Sequence, residues 1–222
     1  MAFVSAALLL LLVGLQLTTG VTQQWFESVH PIDDYGARLI AQAAWLRAII
    51  AVDDVFVAAY TAAAILAALA LRDRPVVWAI AAILGAVTGV LDLEENHQML
   101  AFLVQAQRGV ALTAASLEHR MVFSSLKWLL GPIGYCFLAL SFTARSTREK
   151  ALGFVVWGGL LPLTAAGMAV DDPAWVRVLA FSRLFSALAG FLLLGFALRG
   201  RANEGGSSAL ASLPGTRPAA AA

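Results

Sequence analysis

Val76 to His97 reads VVWAIAAILGAVTGVLDLEENH. The stretch is apolar as far as Leu91, then closes on three acids, an amide and an imidazole. A helix needs roughly 20 apolar residues to cross a hydrocarbon core of ~30 Å, so the first part reads as a membrane span. Its polar end, Asp92 to His97, is the strongest functional lead in the chain, because ionisable groups at the edge of a span are costly unless paired or used.

The rest of the chain repeats that pattern. Of 222 residues, 60% are hydrophobic and 13% charged, with a mean hydropathy of +0.80. A soluble domain is nearer half apolar and about a quarter charged, so the composition points to a membrane protein. The net charge of +1 singles out no acidic or basic partner. There is no basic stripe, which excludes nucleic-acid binding. The single cysteine, Cys136, lies inside an apolar run and reads as a small core residue.

Six segments are long and apolar enough to span: about 3–20, 48–71, 76–95, 121–143, 152–170 and 175–198. The first has no basic residues ahead of it and no A-x-A-like site before Thr22, so it is expected to be a retained span rather than a signal peptide. Arg72 and Arg74 join spans two and three. Arg145, Arg148 and Lys150 join spans four and five, and Arg199 and Arg201 follow span six. With six spans, all three clusters fall on one side, and Lys and Arg mark the cytoplasmic side. Both termini are therefore expected inside, in a plasma or inner membrane. The other side holds Glu27, Asp33, Asp34, Glu118, Asp171 and Asp172.

Two outer connections are long. Residues 21–47 carry Trp25, Phe26, Tyr35 and Trp45, suited to an interface, and Gly36 to Arg47 reads as a helical extension of span two. Residues 98–119 are partly apolar and are expected to lie along the interface as an amphipathic helix. Gln105, Gln107 and Arg108 argue against a seventh crossing there. Residues 1–200 form the expected transmembrane domain. Residues 201–222 turn to Gly, Ser, Pro and Ala and read as a disordered cytoplasmic tail. Gly85 and Gly89 in span three, Gly131, Pro132 and Gly134 in span four, and Gly158, Gly159 and Pro162 in span five read as close-packing positions and kinks.

Counting from the basic clusters gives the polar residues a common depth. Asp54 precedes Arg72 by eighteen residues, and Asp92 follows Arg74 by eighteen. Lys127 precedes Arg145, and Arg183 precedes Arg201, by the same interval. At ~1.5 Å per residue each separation is about 27 Å, so two acids and two bases on four helices share one layer. That layer is either a partly buried ionic cluster or a ring of interface charges. Asp92, Glu95 and Asn96 share one helical face, and Arg120, Ser124 and Lys127 another. Asp53 and Asp54 point about 100° apart, so one of them faces the bundle. Tyr60 lies deeper on the same helix.

Other chemistry finds little support. Glu94-x-x-His97 matches one element of a di-iron site, but no second copy exists. A zinc site would draw on His30, His97 and His119 with the acids, which makes zinc a weak candidate cofactor and Glu94, His97 and His119 weak candidate ligands. The same two histidines, His97 and His119, lie at span ends rather than inside spans, unlike the usual haem pair. His119 and Ser124 are five residues apart and do not face each other as a nucleophile and base must.

The expectation is an all-α bundle of six transmembrane helices, embedded in lipid and without a firm cofactor. Asp54, Asp92, Glu95, Asn96, Lys127 and Arg183 would bind or pass a lipid headgroup, a small polar solute or protons. Asp53, Tyr60, Arg120 and Ser124 would support them. The alternatives are a metal-dependent membrane hydrolase acting on lipid-like substrates, and a structural subunit whose charges pair with a partner helix.

Overall fold

The structure, a computed structural model, describes residues 1–27, 30–71, 75–142, 146–170 and 173–211. Its helices are α1 (Ala2–Thr19), α2 (Gln23–Phe26), α3 (Ile32–Ala41), α4 (Ala43–Ala70), α5 (Pro75–Gln107), α6 (Ala114–Ser141), α7 (Thr147–Phe154), a π-helical turn (Val155–Leu160), α8 (Leu161–Ala169) and α9 (Pro173–Ala211). Among the described residues there is no strand, and six helical segments are long and apolar enough to cross a membrane: α1, α4, α5, α6, α7 through α8, and most of α9. The outward faces of these helices are apolar, with Leu10, Val55, Leu66, Ile83, Val90 and Phe185 all exposed. In water so much apolar surface would drive aggregation, whereas against lipid it is the expected surface of a spanning bundle.

The ends of the helices follow local rules. Gly20 closes α1 in the left-handed region at φ 68°, and its amide donates to the Gln16 carbonyl. The Thr113 hydroxyl accepts the Ser116 amide at the start of α6, and Ser146 accepts the Glu149 amide at the start of α7, as N-caps do. Pro162, near the start of α8, has no amide hydrogen for the carbonyl four residues back, and the wider π turn just ahead of it absorbs the mismatch.

The spans close into a ring: α1 packs on α4, α4 on α5, α5 on α6, α6 on α8, α8 on α9, and α9 back on α1. Close approach requires glycine at two crossings. A Cβ on Gly89 would stand 2.2 Å from the Thr61 hydroxyl of α4, and one on Gly134 would stand 3.0 Å from Leu84 of α5. Three apolar clusters stack along the ring axis. One, at the end bearing α2 and α3, gathers Phe26, Tyr35, Leu39, Ile49, Met99 and Leu103. A middle one holds Leu9, Val57, Tyr60 and Phe191. The third, at the opposite end, holds Ala67, Leu71, Leu138, Phe142 and Leu194.

Three expectations change. The helix expected along the interface over 98–119 does not form. Instead α5 runs unbroken to Gln107, about 50 Å at 1.5 Å per residue. Met99, Phe102 and Leu103 are buried in the cluster that holds Tyr35 and Leu39, so this apolar stripe packs against protein rather than lipid. The helical extension ahead of span two is broken at Gln42, the residue between α3 and α4. Third, α9 stays helical to Ala211, past the expected start of the tail. The remainder of that tail, 212–222, and the basic or acidic connections at 72–74, 143–145 and 171–172 lie outside the described residues.

Candidate functional site

Asp92, Glu95 and Asn96 lie on one stripe of α5, and all three are buried, Glu95 and Asn96 almost completely. Facing them from α6 are Arg120, Ser124 and Lys127, also buried. From α4 come Asp53, Asp54 and Tyr60. The α5 and α6 sets, and Asp53 with Tyr60 on α4, recur at helical spacing, so one rotation of each helix brings its polar stripe inward.

Lys127 is the hub. Its Nζ bonds Asp92 Oδ1 at 2.8 Å and Glu95 Oε2, and lies 3.5 Å from Glu27 Oε1. Glu95 also pairs with Arg120 Nη1 at 3.3 Å, and neither of those side chains is exposed. The second oxygen of Asp92 accepts the Tyr60 hydroxyl at 2.9 Å. Opposite charges are therefore paired in this apolar interior, although Arg120 Nε and Nη2 are buried without a hydrogen-bond partner.

Asp53 sits in a different environment. Its Oδ2 accepts from Asn96 Nδ2 at 2.8 Å and from Gln23 Nε2 at 3.2 Å. Asn96 Nδ2 also donates to Asp54 Oδ1 at 2.9 Å, and Asn96 Oδ1 accepts from Gln23 Nε2 at 2.7 Å. Both amide nitrogens therefore spend their hydrogens on this chain of contacts. Among the described residues no cation stands within ion-pair distance of Asp53 or Asp54. Glu27, Asp53, Asp54, Asp92 and Glu95 thus form a group of five carboxylates in which only Lys127 and Arg120 make ion pairs.

The network opens onto a cavity inside the ring. Its volume is about 150 Å³. Gln23, Glu27, Asp53, Tyr60, Asp92 and Lys127 make its polar floor. Leu9, Leu12 and Val13 of α1, Phe56 of α4, and Leu184, Ala187 and Phe191 of α9 make an apolar wall. Trp128 and Tyr135 of α6 and the polar side chains of Gln16, Gln24 and Thr88 also line it. The Trp128 indole donates to Glu27 Oε2 at 3.4 Å, and the Tyr135 hydroxyl is buried with no hydrogen-bond partner. Because Pro132 lies inside α6, the Trp128 carbonyl also has no helical donor. Polar ends and apolar walls in one concave space are the ordinary makings of a small-molecule site.

The residues singled out from sequence divide clearly. Asp92, Glu95, Asn96, Lys127, Asp53, Asp54, Tyr60 and Arg120 converge in one network, and Ser124 is buried on the same stripe of α6. Asp53, rather than Asp54, reaches the cavity. Arg183 makes no ion pair with the network. Its guanidinium lies over the Trp128 ring at 4.3 Å, and its Nε has no partner. Glu94 and His97 fall on the exposed side of α5, where Glu94 accepts from Gln98. His119 is exposed and edge-on to Phe123, while His30 stacks on Trp25. Among the described residues no group of three His, Cys, Asp or Glu side chains is arranged to hold a metal ion, so the zinc expectation finds no assembled site. Gln23, Glu27, Trp128 and Tyr135 are the residues that sequence reasoning passed over. Their only signals are the four-residue spacing of Gln23 and Glu27 and the adjacency of Trp128 to Lys127.

No family model, curated protein or solved structure matches the chain.

Proposed function

We propose that this chain is an integral protein of the plasma or inner membrane, with both termini cytoplasmic, that binds an amphiphile or small polar solute in the cavity between α1, α4, α6 and α9. One observation carries the reading: a single cavity joins a charged floor to an apolar wall. A network that served only to fix helix register would be closed on all sides. This one presents Asp53, Asp92, Glu27 and Lys127 to an open space. The orientation rests on the Arg and Lys residues of the short connections. Binding, with release to one or other side, needs no covalent chemistry, and none of the histidines a hydrolase would use faces the cavity.

The test is native mass spectrometry of protein extracted from its membrane in mild detergent. Wild-type protein is expected to carry a small molecule at one per chain. Ala187→Trp, which places an indole in the cavity without touching a charged residue, is expected to lose it while keeping its helical content. Val13→Trp, from the facing wall, gives the same readout should Ala187→Trp fail to fold. Wild-type protein that carries nothing, or that carries the same species as both filled variants, overturns the reading.

A further inference from the structure

We infer that the ligand of this cavity presents a primary ammonium group on an apolar body, with the ammonium held between Asp53 and Asp92 and the apolar part against Phe56, Trp128 and Phe191. This deepens the cavity reading above and rests on it.

Charge is the first argument. Three carboxylates line the cavity, those of Glu27, Asp53 and Asp92, against one ammonium, that of Lys127. Lys127 is already engaged by Asp92, Glu95 and Glu27. Asp53 has only amide donors. The other nearby cation, Arg183, lies over the Trp128 ring and is not part of the lining, so an anionic headgroup entering here would meet three carboxylates and a lysine already engaged, whereas a cation would pair with Asp53.

The second argument is independent of the acids. Tyr135 lines the cavity, and its hydroxyl is buried without a hydrogen-bond partner. A buried hydroxyl without a hydrogen bond is costly, so a polar atom brought within its reach is favoured. Its lone pairs can accept an N–H, and its proton can be donated to a second polar atom on the ligand. A primary ammonium has three hydrogens in a tripod, enough for Asp53, Asp92 and one further acceptor. The walls supply the third argument. Phe56, Tyr60, Trp128, Tyr135 and Phe191 place aromatic rings around the space, and aromatic faces attract cations as well as packing alkyl chains. Arg183 already occupies one face of Trp128, so the ring is in use as a cation platform from outside the cavity.

This ammonium could reside on a lipid, as in an ethanolamine headgroup, or on a free alkyl amine, and the experiment separates the two. Protein is reconstituted in nanodiscs made of phosphatidylcholine alone, and binding of n-hexylamine, n-hexanol and hexanoate is measured at pH 7 by isothermal titration against empty nanodiscs. A second set of nanodiscs contains phosphatidylethanolamine. The expected result is saturable binding of hexylamine at one site, with hexanol and hexanoate at least about tenfold weaker. Loss of hexylamine binding in the phosphatidylethanolamine discs identifies the lipid headgroup as a competing occupant. Retained binding there assigns the site to free amines. Asp53→Asn, which keeps the shape and the amide contacts, is expected to weaken hexylamine by at least about tenfold. Tyr135→Phe is expected to weaken it severalfold without lowering the unfolding temperature, because the hydroxyl has no protein partner to lose. A purely structural tyrosine would leave affinity unchanged.

Equal binding of all three probes, abolished by Ala187→Trp, overturns the ammonium assignment and leaves the cavity reading standing. Probe binding that survives Ala187→Trp and Val13→Trp, or no binding of any probe in either lipid, overturns both. Unchanged hexylamine affinity in Asp53→Asn also overturns the assignment.

Discussion

Replacing Lys127 with methionine removes the ammonium and keeps most of the stem. Its nitrogen lies 2.8 Å from Asp92, bonds Glu95 and stands 3.5 Å from Glu27. Unit charges ~3 Å apart attract by about 5 kcal/mol at an effective dielectric near 20. Three such attractions do not add, because the carboxylates repel one another and all four groups have given up hydration. The relevant figure is the cost of stripping one partner from a buried pair, about 3–5 kcal/mol. Part of the loss is cushioned: Glu95 keeps Arg120 at 3.3 Å and Asp92 keeps the Tyr60 hydroxyl at 2.9 Å. The lower end of that range, about 3 kcal/mol, is therefore expected, a large share of the 5–15 kcal/mol typical of folded proteins. Unfolding by sodium dodecyl sulfate in mixed micelles, followed by circular dichroism, reads the change. Asp92→Asn in the Lys127→Met background should cost at least about 1.5 kcal/mol less than in the wild type, since the two residues share one contact. A Lys127→Met protein within 1 kcal/mol of wild type would refute the description of Lys127 as the hub, as would strict additivity with Asp92→Asn.

Two further outcomes follow from residues outside the network. Burial pushes the Tyr35 hydroxyl up from 10.0 to about 12, so the folded state holds this proton more tightly than the unfolded chain does. Its contribution is intact below pH 10 and is lost as pH rises from 10 toward 12, amounting to about 1.4 kcal/mol by pH 11. The stability gap between wild type and Tyr35→Phe should narrow by that amount between pH 9 and pH 11, and a gap that stays constant contradicts the burial of this side chain. For orientation, a cysteine at the exposed Glu118, in a Cys136→Ser background, should react with a membrane-impermeant maleimide added to intact cells. Reaction only after the cells are opened reverses the proposed sidedness.

The apolar runs made the six spans legible, because a helix that faces lipid must stay apolar for the thickness of the bilayer. The inward stripes of α5 and α6 were legible for a related reason: Asp92, Glu95 and Asn96, like Arg120, Ser124 and Lys127, recur at the helical period, and an ionisable stripe in a span has to turn away from lipid. The eighteen-residue spacing placed Arg183 at the right depth but says nothing about azimuth, and α9 turns it onto Trp128. Asp53 and Asp54 could not be ranked, since neighbours on a helix differ by about 100° and both are flanked by apolar residues. Gln23 and Glu27 were the least legible. They lie on and beside a four-residue helix too short to show periodicity, and Gln23 bonds side chains thirty and seventy-three residues away. The histidines misled because residue type suggested ligands, while the period of α5 turns Glu94 and His97 away from Glu95.

The network divides at Lys127 into halves of different character. On one side, Glu95 and Arg120 are fully enclosed, paired with each other, and lie on facing stretches of α5 and α6. Arg120 also lies over the Tyr35 ring at 5.8 Å, tying α3 to the same pair. The Glu95 and Arg120 side chains are both wholly enclosed between the two helices. On the other side, Asp53 and Asp92 border the cavity, Asp53 held only by amides and Asp92 shared between Lys127 and Tyr60. In the first half the charges of Glu95 and Arg120 meet within the protein, while Arg120 Nε and Nη2 are buried without a hydrogen-bond partner. In the second half Asp53 has no cation within ion-pair distance among the described residues, and it lines the cavity. Lys127 bonds both halves, through Glu95 on one side and Asp92 on the other. On the reading proposed above, a ligand against Asp92 would act on the α5–α6 contact through Lys127.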